Sequence, residues 1–246
     1  MLATARKKQD VESLVAEGFD SFPLDVADPS SVMEGVRAAL ERTGGTLGAL
    51  VNNAGFGQPG AIEDLSRDAL RAQFEVNVLG LQDLTNRVLP VMIRAGRGRI
   101  VHISSVLGRV TIPMMGAYCA TKHAVESLAD AQRIELRGTG VGVHLVEPGP
   151  IHTAFRDNAL VTGQRTLSTE SRFSMPDLAR RADGSGFFAR QPEAVARKIA
   201  HAIESRRPRR RYPVTVPAHA APLLKSWLPA WVFDRIVSRR LPGTRR

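Results

Sequence analysis

The sequence predicts a single α/β domain built on a doubly wound parallel sheet. One reason is that short apolar runs typical of buried strands alternate with amphipathic stretches of helical length along most of the chain. A second is size, because 246 residues suffice for one large α/β domain but not for two. A third is composition, since 43% apolar and 24% charged residues are typical of a globular protein.

The first half of the chain predicts three strands and three helical segments. Short apolar runs place strands at residues 2–5, 22–26 and 47–51. Residues 7–17 and 29–43 have apolar side chains at helical spacing, and glycines follow both segments. A long helical pattern follows at residues 65–95.

The second half repeats this alternation. Strands are predicted at residues 99–103, 141–146 and 212–216, and helices at 118–137 and 193–203. Gly138 and Gly140 end the first of these helices. Strands that alternate with helices of this length indicate a parallel sheet covered on both faces.

Polar and small residues follow the carboxyl ends of several predicted strands. Ligands of open parallel sheets bind beyond these ends. We therefore expect the functional site along one rim, formed by Asp25, residues 52–55, Ser105 and residues 148–153.

Residues 105–122 carry a serine, a tyrosine and a lysine at a spacing suited to proton transfer. Tyr118 and Lys122 are four residues apart, so a helix would place both on one face. A positive charge close to a phenol lowers its pKa from about 10. Ser105 would supply a hydroxyl that holds and polarises a carbonyl group. The stretch predicts an acid–base site, although a tyrosine and lysine at this spacing are weak evidence alone.

Three further motifs accompany this stretch, namely NNAG at 52–55, Asn77 and PGPIHT at 148–153. Together with Ser105 and YCATK at 118–122, in this order and approximate spacing, they resemble the short-chain dehydrogenase/reductase family. The resemblance is strong over residues 2–155 and implies a Rossmann-like fold and an NAD(P)-dependent oxidoreductase. The C-terminal region is similar to that of hydroxysteroid- and retinol-type members.

The resemblance also implies a role for each matching residue. Tyr118 would be the general acid or base, and Lys122 would lower its pKa and hold the nicotinamide ribose. Ser105 would position the carbonyl or alcohol, and Asn77 would anchor a water that links the lysine to solvent. The implied cofactor contacts, besides Tyr118 and Lys122, are Arg6, Asp25, Val26, Asn53, Ala54, Gly55, Pro148, Gly149, Ile151 and Thr153.

Ala5 and Arg6 bear on the choice of cofactor. An acidic residue at position 5 would bind the ribose 2′-hydroxyl of NAD and repel a 2′-phosphate. Ala5 removes that repulsion, and Arg6 can pair with the phosphate. NADP is therefore favoured, with NAD as the alternative. The competing interpretation is that Arg6 is a solvated residue at the start of a helix.

No G-x-x-x-G-x-G segment precedes Asn52. The family normally begins with a strand and a glycine-rich turn that receives the pyrophosphate. We therefore expect an N-terminally truncated form of the fold, in which no strand joins residues 2–5 and 22–26 to residues 47–51. A non-catalytic binding protein with impaired cofactor affinity is the alternative function.

Residues 154–190 are predicted to form a variable lid at the end of a catalytic domain that spans residues 1–204. An apolar pocket suits a steroid-, retinol- or lipid-like carbonyl or secondary alcohol. The competing interpretation is that the lid's apolar side chains only pack together. These side chains are Phe155, Leu160, Phe173, Met175, Phe187 and Phe188.

The positive charge of the chain lies in a basic, amphipathic C-terminal extension at residues 205–246. It contains eleven Lys or Arg and one acidic residue, Asp234, whereas the preceding residues are neutral overall. Its apolar residues, among them Trp227 and Trp231, would dock on the domain or contact an anionic membrane surface. One basic segment without a known nucleic-acid recognition motif does not indicate a nucleic-acid partner.

The remaining expectations concern location, assembly and metals. The chain lacks a signal-peptide pattern and has a single cysteine, Cys119, which favours a cytoplasmic protein. The helices at 81–95 and 117–137 commonly pair in the family, which implies a homodimer or homotetramer. His102 is expected to be structural, and the other histidines show no metal-ligand spacing.

Overall fold

The computed structural model describes residues 1–166, 171–173 and 188–238, in which strands and helices alternate. The strands are β1 (Leu2–Ala5), β2 (Asp20–Pro23), β3 (Ala49–Asn52), β4 (Gly98–Ile103), β5 (Val141–Glu147) and β6 (Arg211–Pro213). The α-helices are α1 (Lys8–Ala16), α2 (Pro29–Arg42), α3 (Arg67–Phe74), α4 (Leu81–Arg94), α5 (Gly116–Glu135), α6 (Phe155–Thr166), α7 (Glu193–Glu204), α8 (Val216–Trp227) and α9 (Ala230–Ser238). The predicted strands and helices are present, with ends shifted by a few residues.

The described strands form two parallel sheets. β1 pairs with β2, whereas β3, β4, β5 and β6 pair in that order in a four-stranded sheet. Among the described residues, no strand joins β1 and β2 to β3. The expected separation of the first two strands from the rest is therefore confirmed.

Helices cover both faces of the four-stranded sheet. On one face, buried apolar side chains of β4 and β5 pack with those of α2, α4 and α5. On the other face, Val101, Val146 and Tyr212 pack with Ala202 of α7. Full burial of one large apolar side chain stabilises a fold by about 1.5–3 kcal/mol. The doubly wound α/β architecture is thus confirmed.

The helical pattern predicted at residues 65–95 consists of three segments rather than one. Between α3 and α4 lies a π-helical turn, Glu75–Gly80, of a kind that often occurs at functional sites. It brings Gly80 against Val26, so closely that a β-carbon on Gly80 would lie 2.0 Å from the Val26 carbonyl oxygen. This contact, together with the packing of α2 on α4, fastens the two-stranded sheet to the rest of the protein.

The four-stranded sheet continues past the predicted domain boundary at residue 204. β6 pairs with β5, with Arg211 opposite Leu145 and Tyr212 opposite Val146. The strand predicted at 212–216 is too long, because Thr215 caps α8, its Oγ1 accepting a hydrogen bond from Ala218 N at 3.4 Å. The segment after residue 204 is therefore anchored in the sheet through β6.

One side of α8 docks on the turn that follows β4. Ala218 is buried, and Lys225 Nζ donates a hydrogen bond to the Arg109 carbonyl at 3.2 Å. Trp227 at the end of α8 is 85% exposed, and Trp231 in α9 is 70% exposed. Docking on the domain is thus confirmed for one side of α8, while membrane contact stays a prediction. No described helix is both long and apolar enough to cross a bilayer.

Candidate active site

The end of β4 and the start of α5 bring Ser105, Tyr118 and Lys122 together. The Ser105 side chain lies beside Tyr118 and acts to lower the pKa of its phenol. Lys122 lies one turn after Tyr118, and its Nζ is 5.7 Å from the centre of the tyrosine ring. The three side chains predicted from the sequence as an acid–base site therefore form one cluster.

Backbone groups from two loops hold Ser105 in place. Its Oγ accepts a hydrogen bond from Leu107 N at 3.1 Å and donates one to the Pro148 carbonyl at 3.4 Å. Val106 N donates to the same carbonyl at 2.8 Å. These hydrogen bonds hold Ser105 at the end of β4.

Lys122 is buried beside the loop that follows β3. Its Nζ donates a hydrogen bond to the Ile103 carbonyl at 2.7 Å. Burial disfavours the charged form and lowers the pKa of Lys122 to about 8. A β-carbon on Gly55 would lie 3.8 Å from Nζ and 3.1 Å from Asn77 Oδ1. The absence of a side chain at Gly55 thus leaves space beside the ammonium.

The pKa of Tyr118 differs from expectation. Burial raises it well above its usual range, and the Ser105 side chain offsets only part of this effect. The ring of Phe155 in α6 covers Tyr118, with the two ring centres 5.4 Å apart. Burial therefore dominates the pKa of Tyr118, and a lowering of that pKa by Lys122 stays a prediction. The phenol is protonated at neutral pH and suited to act as an acid.

Asn77 joins the loop after β3 to α5 from the π-helical turn. Its side chain is fully buried; Oδ1 accepts a hydrogen bond from Phe56 N at 3.0 Å. Its Nδ2 donates to the Phe56 carbonyl at 3.0 Å and to Thr121 Oγ1 at 3.2 Å. These contacts fix the loop next to Lys122. The water-anchoring role of Asn77 stays a prediction.

The predicted cofactor residues lie along the carboxyl ends of β1, β2, β3 and β5. Asn53, Ala54 and Gly55 are exposed directly after β3, and Arg6 is exposed directly after β1. The Asp25 carboxylate accepts a hydrogen bond from Ala27 N at 3.0 Å, so it also stabilises the turn before α2.

The loop after β5 contains the last group of predicted cofactor residues. Pro148 precedes Gly149, at which a β-carbon would lie 2.0 Å from Thr215 Oγ1. Ile151 forms a parallel bridge with Arg190, and Thr153 is exposed. The loop is therefore held from both sides by the C-terminal part of the chain.

A cleft of about 270 Å³ opens next to Val26. Val26, Leu79 and Gly80 supply an apolar wall, and charged residues of the π-helical turn and α4 surround it. Leu79, which is 54% exposed, was not predicted as a site residue. Its position two residues after Asn77 was the available signal, but its place in the same cleft as Val26 depends on the tertiary fold.

The described part of the predicted lid covers Tyr118. Gln58 Nε2 donates a hydrogen bond to Thr166 Oγ1 at 2.8 Å, which ties the end of α6 to the loop after β3. Leu160 and Phe173 pack with Ala61 and Met114. Met175 and Phe187 lie outside the described residues, and Phe188 is 47% exposed. The apolar surface predicted around the site is thus present in part.

His102 has structural partners, as expected. Its Nδ1 lies 3.1 Å from Asn52 Nδ2, and that amide also donates to Thr85 Oγ1 at 2.8 Å. Burial lowers the pKa of His102 to about 4, an effect that the Gln132 side chain offsets only in part. It is therefore a neutral residue that links strands and helices behind the site.

Comparisons with known proteins are consistent with this site. The profile of the family described as short chain dehydrogenase matches residues 1–162. Escherichia coli K12 has a relative named uncharacterized oxidoreductase YbbO, 40% identical over 237 residues, which cover 96% of this chain and 84% of the relative. The NADPH-dependent 3-dehydrocapnine reductase of Ornithobacterium rhinotracheale is 34% identical over 224 residues, covering 87% and 78%.

A human relative and a solved structure extend the comparison. Human 17-beta-hydroxysteroid dehydrogenase type 1 is 36% identical over 199 residues, which cover 78% of this chain and 59% of that protein. A crystal structure of a short chain dehydrogenase/reductase from Burkholderia phymatum in complex with NAD superposes with a TM-score of 0.75 at 28% identity. The superposition covers 100% of this chain and 88% of the Burkholderia chain.

Proposed function

The chain belongs to the short-chain dehydrogenase family of oxidoreductases, and from this we propose that it reduces a hydrophobic carbonyl compound with NADPH. The reverse oxidation of the secondary alcohol would use the same site. The observation that carries this proposal is the cluster that Ser105 and Tyr118 form beside the buried Lys122.

A bound nicotinamide cofactor would supply the hydride. The Tyr118 hydroxyl donates its proton to the substrate oxygen and becomes a phenolate. Ser105 Oγ holds that oxygen next to Tyr118, and the Lys122 ammonium stabilises the phenolate. A phenol with a raised pKa is protonated when the substrate arrives, which suits reduction.

The residues present fit a dinucleotide best at its two ends. Tyr118 and Lys122 would hold the nicotinamide ribose in the space that Gly55 leaves open. The apolar wall of Val26 and Leu79 suits the flat face of adenine. Ile151 and Thr153 would contact the carboxamide. The described residues before Asn52 contain no glycine-rich turn for the pyrophosphate.

Replacing Arg6 with alanine is expected to raise the Kd for NADPH about tenfold and to leave the Kd for NADH unchanged. A charge-assisted hydrogen bond to the 2′-phosphate, absent in NADH, accounts for a loss of this size. Nicotinamide fluorescence measures both constants, and Lys7→Ala is the control at the neighbouring exposed position. An equal rise in the Kd values for NADPH and NADH would contradict the proposed preference for NADPH. If neither cofactor bound, the result would favour the non-catalytic alternative.

The rate of carbonyl reduction is expected to fall as the pH rises above about 8. The charge of Lys122, whose pKa burial lowers to about 8, is present below this pH and lost above it. The ammonium stabilises the Tyr118 phenolate, so kcat/KM should decline with the deprotonation of one group. Lys122→Arg keeps a positive charge at position 122 over this pH range. The reduction rate that remains in this variant should therefore not change up to pH 10. A wild-type profile that is flat through pH 9.5 would count against this role.

The apolar cluster of Ala61, Met114, Leu160 and Phe173 supports a steroid-, retinol- or lipid-like substrate. The human steroid dehydrogenase among the relatives is consistent with this class. Initial rates with ketones of increasing apolar size would test it.

Exposed Ile93 in α4 and Ile134 in α5 support a homodimer that pairs these helices, which sedimentation velocity would detect.

A further inference from the structure

Arg211, the first residue of β6, contacts three carboxylates at once. Its guanidinium is hydrogen-bonded to Glu126, to Glu147 Oε1 at 2.9 Å and to Asp130 Oδ2 at 2.5 Å. Arg211 lies beyond the residues that the family profile matches. A side chain outside that region therefore joins elements inside it.

The three carboxylates belong to α5, which carries Tyr118 and Lys122, and to β5, whose end leads into the Pro148 carbonyl that contacts Ser105. Glu126 and Asp130 follow Lys122 on α5 by one and two turns, and Glu147 ends β5 directly before Pro148. Glu147 has 3% of its side chain exposed, and Arg109 approaches its Oε1 to 3.4 Å. A buried carboxylate is costly without a charged partner, so this network depends on its arginines.

The same network encloses the turn that follows Ser105. Pro148, next to Glu147, accepts hydrogen bonds from Ser105 Oγ and Val106 N. On the other side, a β-carbon on Gly108 would lie 3.0 Å from the Glu126 side chain. The turn at residues 105–108 is therefore held between two elements whose carboxylates share Arg211.

We propose that Arg211 is a positioning residue for the reaction, because its guanidinium fixes α5 and the end of β5 so that Ser105 and Tyr118 stay within hydrogen-bond reach. The proposal rests on the proposed function of the same site. Arginine suits this task because its planar fork can bind several carboxylates in fixed directions, whereas a lysine ammonium is a single point charge.

Arg211→Lys tests the proposal, because it keeps the positive charge that the buried carboxylates require. We expect kcat for carbonyl reduction to fall about tenfold or more, because a small displacement of the reacting groups can lower a rate by this amount. The KM for NADPH should stay within about twofold, since Arg211 contacts none of the residues proposed to hold it. Arg210→Lys, at the neighbouring exposed position, is the control and should leave kcat unchanged. An unchanged kcat in Arg211→Lys would overturn the proposal.

A second measurement separates this proposal from the proposed function. Hydrogen exchange of peptides that cover residues 104–109 should be faster in Arg211→Lys than in Arg210→Lys, while exchange in β3 and α4 stays the same. Faster exchange in a protein without reductase activity would reject the proposed function and keep the role of Arg211 in holding the turn. Unchanged exchange would reject that role. A uniform increase over the whole chain would show that Arg211 acts only on global stability and would also overturn the proposal.

Discussion

Replacing Tyr118 with phenylalanine is expected to lower kcat for carbonyl reduction by about a thousandfold. The change removes the hydroxyl that we propose as the proton donor, and a positioned acid contributes about 10²–10⁴-fold to a rate. The ring that packs on Phe155 remains, so the fold should persist. Steady-state oxidation of NADPH with a ketone substrate measures the loss, and a thermal melt verifies folding.

The second tyrosine of the chain provides a matched control. Tyr212 is also buried, and its hydroxyl accepts a hydrogen bond from Arg209 N at 2.7 Å and lies 3.0 Å from His201 Nδ1. Tyr212→Phe should cost about 1 kcal/mol of stability through the lost hydrogen bonds. Its kcat per folded molecule should equal that of the wild type. Retained turnover in Tyr118→Phe would remove Tyr118 from the mechanism.

Gly80→Ala is expected to reduce the free energy of unfolding by about 3 kcal/mol or more. The added β-carbon would lie 2.0 Å from the Val26 carbonyl oxygen, which belongs to the backbone and cannot rotate away. Overpacking of this kind forces backbone shifts and typically costs about 1–3 kcal/mol or more. Urea unfolding followed by circular dichroism measures the change.

Gly48→Ala is the appropriate control for the glycine at position 80. A β-carbon on Gly48 would meet nothing within 4 Å. Its effect on stability should stay within about 0.5 kcal/mol. Equal stability of the Gly80 and Gly48 variants would mean that the π-helical turn moves away from Val26 at little cost.

Local sequence patterns were sufficient to predict the strands, most helices and the cluster of Ser105, Tyr118 and Lys122. These three residues come together because Ser105 follows the end of β4, while Tyr118 and Lys122 lie one turn apart near the start of α5. The π-helical turn was missed because residues 65–95 keep a helical pattern throughout, and the contact of Gly80 with Val26 depends on the tertiary fold. The raised pKa of Tyr118 was missed because it arises from burial under Phe155, which follows in the chain by 37 residues.

Arg211 shows a further limit of sequence reasoning. In the sequence it is one of three consecutive arginines before Tyr212, and its neighbours Arg209 and Arg210 are exposed. Its carboxylate partners are 64 to 85 residues away in the chain. Only the pairing of β6 with β5 reveals which of the three arginines faces the site.

The separation of the two sheets has a consequence for how ligands affect stability. Elements that share no backbone hydrogen bonds can open independently, so the unit of β1, α1 and β2 is expected to unfold locally before the four-stranded sheet. A dinucleotide that contacts Val26 at one end and Lys122 at the other would act as a non-covalent cross-link between the two units. At a concentration of 100 times its Kd, such a ligand suppresses the opening by about 2.7 kcal/mol. The bound cofactor would then stabilise the fold by joining the two sheets, in addition to supplying the hydride.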